Sequence, residues 1–383
     1  MTYNLNKIYL LILILIPALV SAKEIKVPQE YQQRILAHYP ALDLDKDGFL
    51  SFEELKKGQS KTSQVLQLQI KKMLKKLVKL NQAKSANNDL NPEEFLHQLG
   101  LKAERNIAYK VNTKQQRNKL DIIYPKNKVY EKAPLFIYIH GGGNTGGSKI
   151  SIYNQGAAIV KELTQAGVAV ASIDYRLFGK GEVLGFQQLF EDCKDALRFL
   201  AKNADRFGID RHKFITWGTS AGGSKSLISA LTKHDFLEGE VKGANTEHTV
   251  IGGISFYGVT SYVAEGVWKN SKRNRSRANI MFRENNGLSS QNIRALVSAD
   301  QHINSDSPSL LLIHGDKDPT VPVESSRHLY KIAKEKGIDV TYIEVKNSRH
   351  MLKPLKGNKL APSMTWQEAQ MTVVRHALQW IKI

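Results

Sequence analysis

Six apolar runs recur along the chain, at 135–139, 168–173, 213–217, 251–257, 309–313 and 340–345, with helical stretches between them. Continuous apolar runs alternating with helices predict a mostly parallel sheet covered on both faces. The first hundred residues follow another pattern. Lys7 precedes the apolar run Ile8 to Val20, broken only by Pro17, and small residues at Val20-Ser21-Ala22 come before Lys23. That arrangement predicts a secretory signal over 1–22, cleaved after Ala22, with a core too short to span a membrane. The expected location is secreted or periplasmic, and the chain is not expected to be an integral membrane protein.

From Gln64 to Leu80 the pattern is helical and amphipathic. Leu66, Ile70, Met73, Leu74 and Leu77 share one face, and Lys71, Lys72, Lys75, Lys76 and Lys79 lie largely opposite. Two readings stay open: a core-facing helix with a solvated basic side, or adhesion to an anionic polysaccharide or cell surface. A formal net charge of +19 over 383 residues suits encounter with polyanions. An exported chain with no recognisable nucleic-acid motif is not expected to bind nucleic acid. Cys193 is the single cysteine, which excludes an intrachain disulfide and leaves that residue to pack in a helix.

Flanking that helix are two loops of twelve residues. Asp43-Leu44-Asp45-Lys46-Asp47-Gly48-Phe49-Leu50-Ser51-Phe52-Glu53-Glu54 has the spacing of a complete EF-hand loop. Asp43, Asp45 and Asp47 supply oxygens, Gly48 permits the sharp turn, and Phe49 offers its carbonyl. Ser51 takes the water-mediated position and Glu54 closes the site, so the ion expected is Ca2+ in a structural role. At 83–94, Ala83, Ser85 and Asn87 replace the carboxylates while Glu94 holds the last position, a degenerate loop expected to pair rather than bind. The forty-residue offset between the loop starts disfavours a dockerin. Together these features predict a small all-α EF-hand module over 23–100 and a separate domain over 104–383.

The chemistry of that domain centres on Gly218-Thr219-Ser220-Ala221-Gly222, after the strand pattern of 213–217 and before a small-residue helix start. A G-x-S-x-G sequence in strand–turn–helix context holds serine in a strained turn with its hydroxyl exposed, so its neighbours must be nearly free of side chain. His140-Gly141-Gly142-Gly143 ends the strand pattern at 135–139. Consecutive glycines let backbone amides approach a developing oxyanion, and Gly141, Gly142 and Ala221 are the candidate donors. After the run at 309–313, a turn carries both Asp316 and Asp318. His350 follows the run at 340–345, whereas His328 and His376 fall on helical patterns.

The motifs HGGG and GxSxG, with Leu120-Asp121-Ile122-Ile123-Tyr124-Pro125, Ala171 to Leu177 and Glu191 to Ala196, make residues 104–383 resemble an α/β-hydrolase family. It is that of the secreted carboxylesterases related to hormone-sensitive lipase and of feruloyl-esterase-like domains. The resemblance implies an α/β-hydrolase fold, with a triad in the chain order Ser220, Asp318, His350. It selects Asp318, which holds the acid's place in H-G-x-x-D-x-x-V-P, and assigns Asp316 to the turn. It also implies that Asp174-Tyr175-Arg176 is structural. Ser348-Arg349 departs from the glycine common before the histidine. The expected function is a secreted serine carboxylic-ester hydrolase acting on acyl groups such as acetyl or feruloyl esters of polysaccharide, with no cofactor needed for catalysis. Two alternatives share the residues: a serine exopeptidase of the prolyl-oligopeptidase type, and a non-enzymatic calcium-dependent binding protein on a hydrolase scaffold. The polar segment Gly258 to Ser307, basic at Lys269, Lys272, Arg273, Arg275 and Arg277, reads either as a cap over the site or as a solvated excursion.

Overall fold

A computed structural model describes residues 91–111, 114–180, 183–268, 280–285, 287–355 and 360–382. They fall in the second of two units into which the chain divides, 90–383. The signal segment 1–22, the loop at 43–54, the basic helix 64–80, positions 83–90 of the degenerate loop and the basic stretch 269–277 lie outside the described residues.

Eight strands form one sheet: β1 (Ala103–Ala108), β2 (Lys119–Ile123), β3 (Ala133–Ile139), β4 (Ala169–Ile173), β5 (Ile209–Thr219), β6 (Val250–Phe256), β7 (Ser309–Gly315) and β8 (Val340–Val345). Their order is β1-β2-β4-β3-β5-β6-β7-β8. β2 runs antiparallel to β1 and β4, and every later pairing is parallel. The six apolar runs correspond to β3 through β8. The two antiparallel strands were not among them, for a physical reason. β1, Ala-Glu-Arg-Asn-Ile-Ala, is a half-exposed edge strand interrupted between Glu104 and Ile107, so no continuous apolar face is required of it.

The described helices are α1 (Pro92–Leu99), α2 (Ser151–Gln155), α3 (Ala157–Gln165), α4 (Gln188–Lys202), α5 (Ala204–Phe207), α6 (Ala221–Leu231), α7 (Ser290–Leu296), α8 (Glu324–Glu335) and α9 (Trp366–Lys382). They divide between the two faces of the sheet. β3 is buried throughout: Leu135, Ile137 and Ile139 face one core with α4, α6 and α8, while Phe136 and Tyr138 face a second core with α1, α2, α3 and α9. This is the period-two geometry of a strand covered on both sides. Cys193 packs in α4, its Sγ 3.3 Å from the Leu189 carbonyl.

Two segments behave in ways the sequence pattern left open. Tyr262, Trp268, Phe282, Ile293 and Val297 are buried in the first core, so the described part of 258–307 is a packed cover. It is pinned to the start of α8 by Ser325, whose Oγ donates to the Val267 carbonyl at 2.9 Å. Helix α1 was placed in the EF-hand module, yet its apolar side belongs to the second core. Asn91 caps it, accepting from the Glu93 amide at 3.1 Å, and Gly100 ends it in a left-handed turn. Phe95 and Leu96 are 5% and 6% exposed, and the Phe95 ring meets Tyr153 edge-on at 5.5 Å. Phe95→Ala should therefore destabilise the sheet-containing unit by about 3 kcal/mol. Urea melts followed by tryptophan fluorescence check this, and an unchanged midpoint would detach the helix from that core.

Candidate active site

The turn between β5 and α6 is tight because two glycines remove the atoms that would block it. A Cβ on Gly218 would fall on the Gly222 carbonyl, and one on Gly222 would fall on the carbonyls of Ile139 and His140. Ser220 itself sits at φ 53°, ψ −119°, a conformation L-residues rarely adopt. Its amide donates to the Phe256 carbonyl at 2.8 Å, and its carbonyl accepts from Gly223 at 2.9 Å. The result projects Oγ from the carboxyl end of β5.

His350 and Asp318 meet it there. Ser220 Oγ lies 3.0 Å from His350 Nε2, and His350 Nδ1 lies 2.6 Å from Asp318 Oδ2. With Nδ1–H donating to the carboxylate, Nε2 keeps its lone pair toward the serine hydroxyl. Tyr257 packs against the imidazole, ring centroids 4.7 Å apart. The Asp318 side chain is fully buried, and Oδ1 accepts from the amides of Thr320 at 2.7 Å and Val321 at 3.1 Å. Burial alone would raise this carboxyl, but bonds from His314 and His350 outweigh it and hold the group well below the ordinary carboxylate range.

Asp316 is not part of this array. Its Oδ1 accepts from the Ser348 amide at 3.1 Å, so it laces its turn to the segment before His350 rather than capping through its own backbone. The close fit of those segments explains Gly315, whose Cβ would press on the Ser348 and Arg349 carbonyls at 2.6 and 2.9 Å.

The glycine turn after β3 closes the other side. A Cβ on Gly141 would lie 2.7 Å from the Thr219 carbonyl and 3.3 Å from Ser220 Cβ, which sets this turn directly against the candidate nucleophile. Gly142, Gly143 and Asn144 follow at φ 116°, 62° and 65°. Among the described residues, the amides of Gly141, Gly142 and Ala221 donate to no protein acceptor. His140 is buried and neutral, its basicity pushed down to about 3 by desolvation and neighbouring cations. Its Nδ1 donates to the Gly141 carbonyl at 2.7 Å, and its Nε2 accepts from Arg117 at 3.0 Å. Arg117 also donates to the Gly147 carbonyl and to Asp174 Oδ1, each at 2.8 Å. The Tyr175 hydroxyl reaches the His140 carbonyl at 2.8 Å, and Arg176 pairs with Asp192 at 2.7 Å. Asp174-Tyr175-Arg176 thus ties the end of β4 to its neighbours.

A profile of the BD-FAE family matches residues 120–332. The chain belongs to the BD-FAE family. Esterase LipC of Mycobacterium tuberculosis is 26% identical over 247 residues, covering 64% of this chain and 59% of that protein's length. Among solved structures, a truncated carbohydrate esterase from gut microbiota superposes with a TM-score of 0.56 at 18% identity, covering 72% of this chain and 96% of the other. The propionate-bound thermophilic esterase of Thermogutta terrifontis gives 0.56 at 21% identity, with 72% and 94% covered. These likenesses establish the α/β-hydrolase fold.

Several residues of this BD-FAE site were not singled out from sequence. His314 is fully buried with Nε2 3.3 Å from Asp318 Oδ2, and Arg117 and Asn144 brace the glycine turn. Lys225 is a lone cation in the otherwise small and apolar helix Ala221–Leu231, which was the one available signal. Asp318→Asn should cost about 10⁴ in turnover of a nitrophenyl ester, because only the group on Nδ1 fixes the imidazole tautomer. Asp316→Asn should cost far less. Turnover of both variants, with circular dichroism as the folding control, decides between the carboxylates.

Proposed function

We propose that this protein is a serine carboxylic-ester hydrolase. The bonded series Ser220, His350, Asp318, facing the free amides of the glycine turn, carries the reading. Ser220 Oγ attacks the ester carbonyl carbon as its proton passes to His350 Nε2. The oxyanion is held by the amides of Gly141, Gly142 and Ala221, and Asp318 stabilises the imidazolium. His350 then gives the proton to the leaving alcohol. Water, deprotonated by the same nitrogen, attacks the acyl-enzyme and releases the acid with Ser220 restored. The names of the relatives favour an ester over a peptide bond. The Ser220→Ala variant should lose about 10⁶ in turnover of nitrophenyl acetate while its melting curve is kept. A variant retaining more than about a thousandth of wild-type turnover would overturn the assignment.

The finer reading is an exported enzyme acting on acyl groups of polysaccharide, acetyl or feruloyl. The signal-like segment 1–22 supports export, and a carbohydrate esterase among the similar structures supports the substrate class. Hydrolysis of acetylated xylan and methyl ferulate, measured against nitrophenyl acetate, tests it.

Ahead of the hydrolase, Asp43, Asp45, Asp47 and Glu54 bring four carboxylates to one twelve-residue loop, a donor set suited to Ca2+. Mutual repulsion of the four is relieved when the cation binds. A dissociation constant on the order of 10⁻⁵ to 10⁻³ M fits an extracellular module. Calcium should raise the melting temperature of the N-terminal module, and Glu54→Gln should erase most of that rise. Turnover of a small soluble ester should survive chelation while both modules are folded. Reversible loss of that turnover on chelation would tie the metal to the active site instead.

A further inference from the structure

Burying an ammonium is costly unless hydrogen bonds, a counter-charge or aromatic faces offset it. Lys225 stands five residues after Ser220, on the first turns of α6, and is 1% exposed. Its Nζ lies 4.6 Å from the ring centroids of both Tyr175 and Phe190. Among the described residues it has no carboxylate within ion-pair distance. Its short polar contact is Asn144 Oδ1, at 2.6 Å, with a longer one to the Ala221 carbonyl at 3.4 Å.

Asn144 is the residue that ends the glycine turn. Three successive residues there have positive φ, and the turn's internal bonds run from the Thr145 and Gly146 amides to the Gly142 carbonyl, leaving its two ends to be held from outside. The Asn144 carbonyl accepts from the Phe178 amide at 2.8 Å, and its side chain meets Lys225. At the start of the same turn, Arg117 holds His140, and beyond Asn144 it also holds the Gly147 carbonyl. Both ends are therefore tied to fixed elements, and Gly141 and Gly142 lie between the ties.

We infer that Lys225 is a positioning residue for the oxyanion turn, acting through Asn144 to hold the amides of Gly141 and Gly142 toward the carbonyl attacked by Ser220. The inference rests on the hydrolase reading above. Lys225 touches no reacting atom; it connects the helix that carries the nucleophile to the turn that carries the oxyanion donors.

A pH signature follows. Burial pushes the Lys225 amine down to about 8, so its charge is lost as pH rises through that value. Three of the groups around it are shifted away from that range. His140, on the turn, is pushed down to about 3; Tyr175, after β4, and Cys193, on α4, are both pushed well up by burial. Asp192, on α4, is engaged by Arg176 and Lys110. Positioning is complete below about pH 8 and weakens above it.

Lys225→Met and Asn144→Ala, assayed with nitrophenyl acetate in the full chain, test the inference. Lys225→Met should lower kcat by about 10- to 100-fold, the scale of a misplaced reacting group, with KM changed less than about threefold. Its melting temperature should hold or rise, since an apolar side chain replaces a buried charge. The alkaline limb of the wild-type kcat profile near pH 8 should vanish in Lys225→Met. Asn144→Ala should reproduce the loss, and the double variant should be no worse than either single one. If Lys225→Met fails to fold, Asn144→Ala and the wild-type pH profile decide alone. Labelling of wild-type Ser220 by a fluorophosphonate separates the two layers. No labelling at Ser220 would bring down the hydrolase reading. Normal labelling with wild-type kcat in Lys225→Met, or additive losses in the double variant, would overturn this inference alone.

Discussion

The site depends on one steric constraint, the close approach of the start of α6 to the end of β3. Gly222 comes against the carbonyls of Ile139 and His140 so tightly that no side-chain carbon fits between them. That contact brings the serine turn and the glycine turn into one small volume. The positive φ of Ser220 is tolerated because the surrounding bonds over-determine it: its amide to Phe256, its carbonyl to Gly223, and both glycines empty of Cβ. Any substituent at Gly218 or Gly222 would push Ser220 away from the glycine turn before touching His350 or Asp318.

What could be read from the chain, and what could not, divides along the same line. Chemistry that demands a backbone conformation leaves a local mark: Gly218 and Gly222 around Ser220, and Gly141 to Gly143 after a buried strand. The apolar runs that became β3 through β7 were legible because burial on two faces favours apolar residues. β1 was not, since an antiparallel edge tolerates Glu104, Arg105 and Asn106. Asp316 and Asp318 were indistinguishable by type. Only the fold shows that one oxygen faces Ser348 and the other His350.

Residues that act through tertiary contacts left almost no trace. Arg117 lies between β1 and β2 in sequence, yet it reaches across to Gly147, Asp174 and His140. Helix α1 reads as the tail of an EF-hand because Glu94 holds the last position of the degenerate loop 83–94, but a loop pattern cannot say which core receives Phe95. The aromatic residues of the cover, Tyr262, Trp268 and Phe282, sit in a stretch whose polarity hides them.

The two imidazoles on Asp318 share the work of keeping its carboxylate charged. His314 is anchored inside the sheet, its Nε2 shared between the Val321 carbonyl and the carboxylate, while Ser326 holds its other nitrogen at 2.8 Å. His350 rides on a short excursion beyond β8, beside the half-exposed Met351. Without the His350 bond the carboxylate would still have His314, Thr320 and Val321. Loss of the His350 bond would remove one of the contacts that keep the carboxylate charged, yet the remaining three would leave no unpaired charge stranded in the interior.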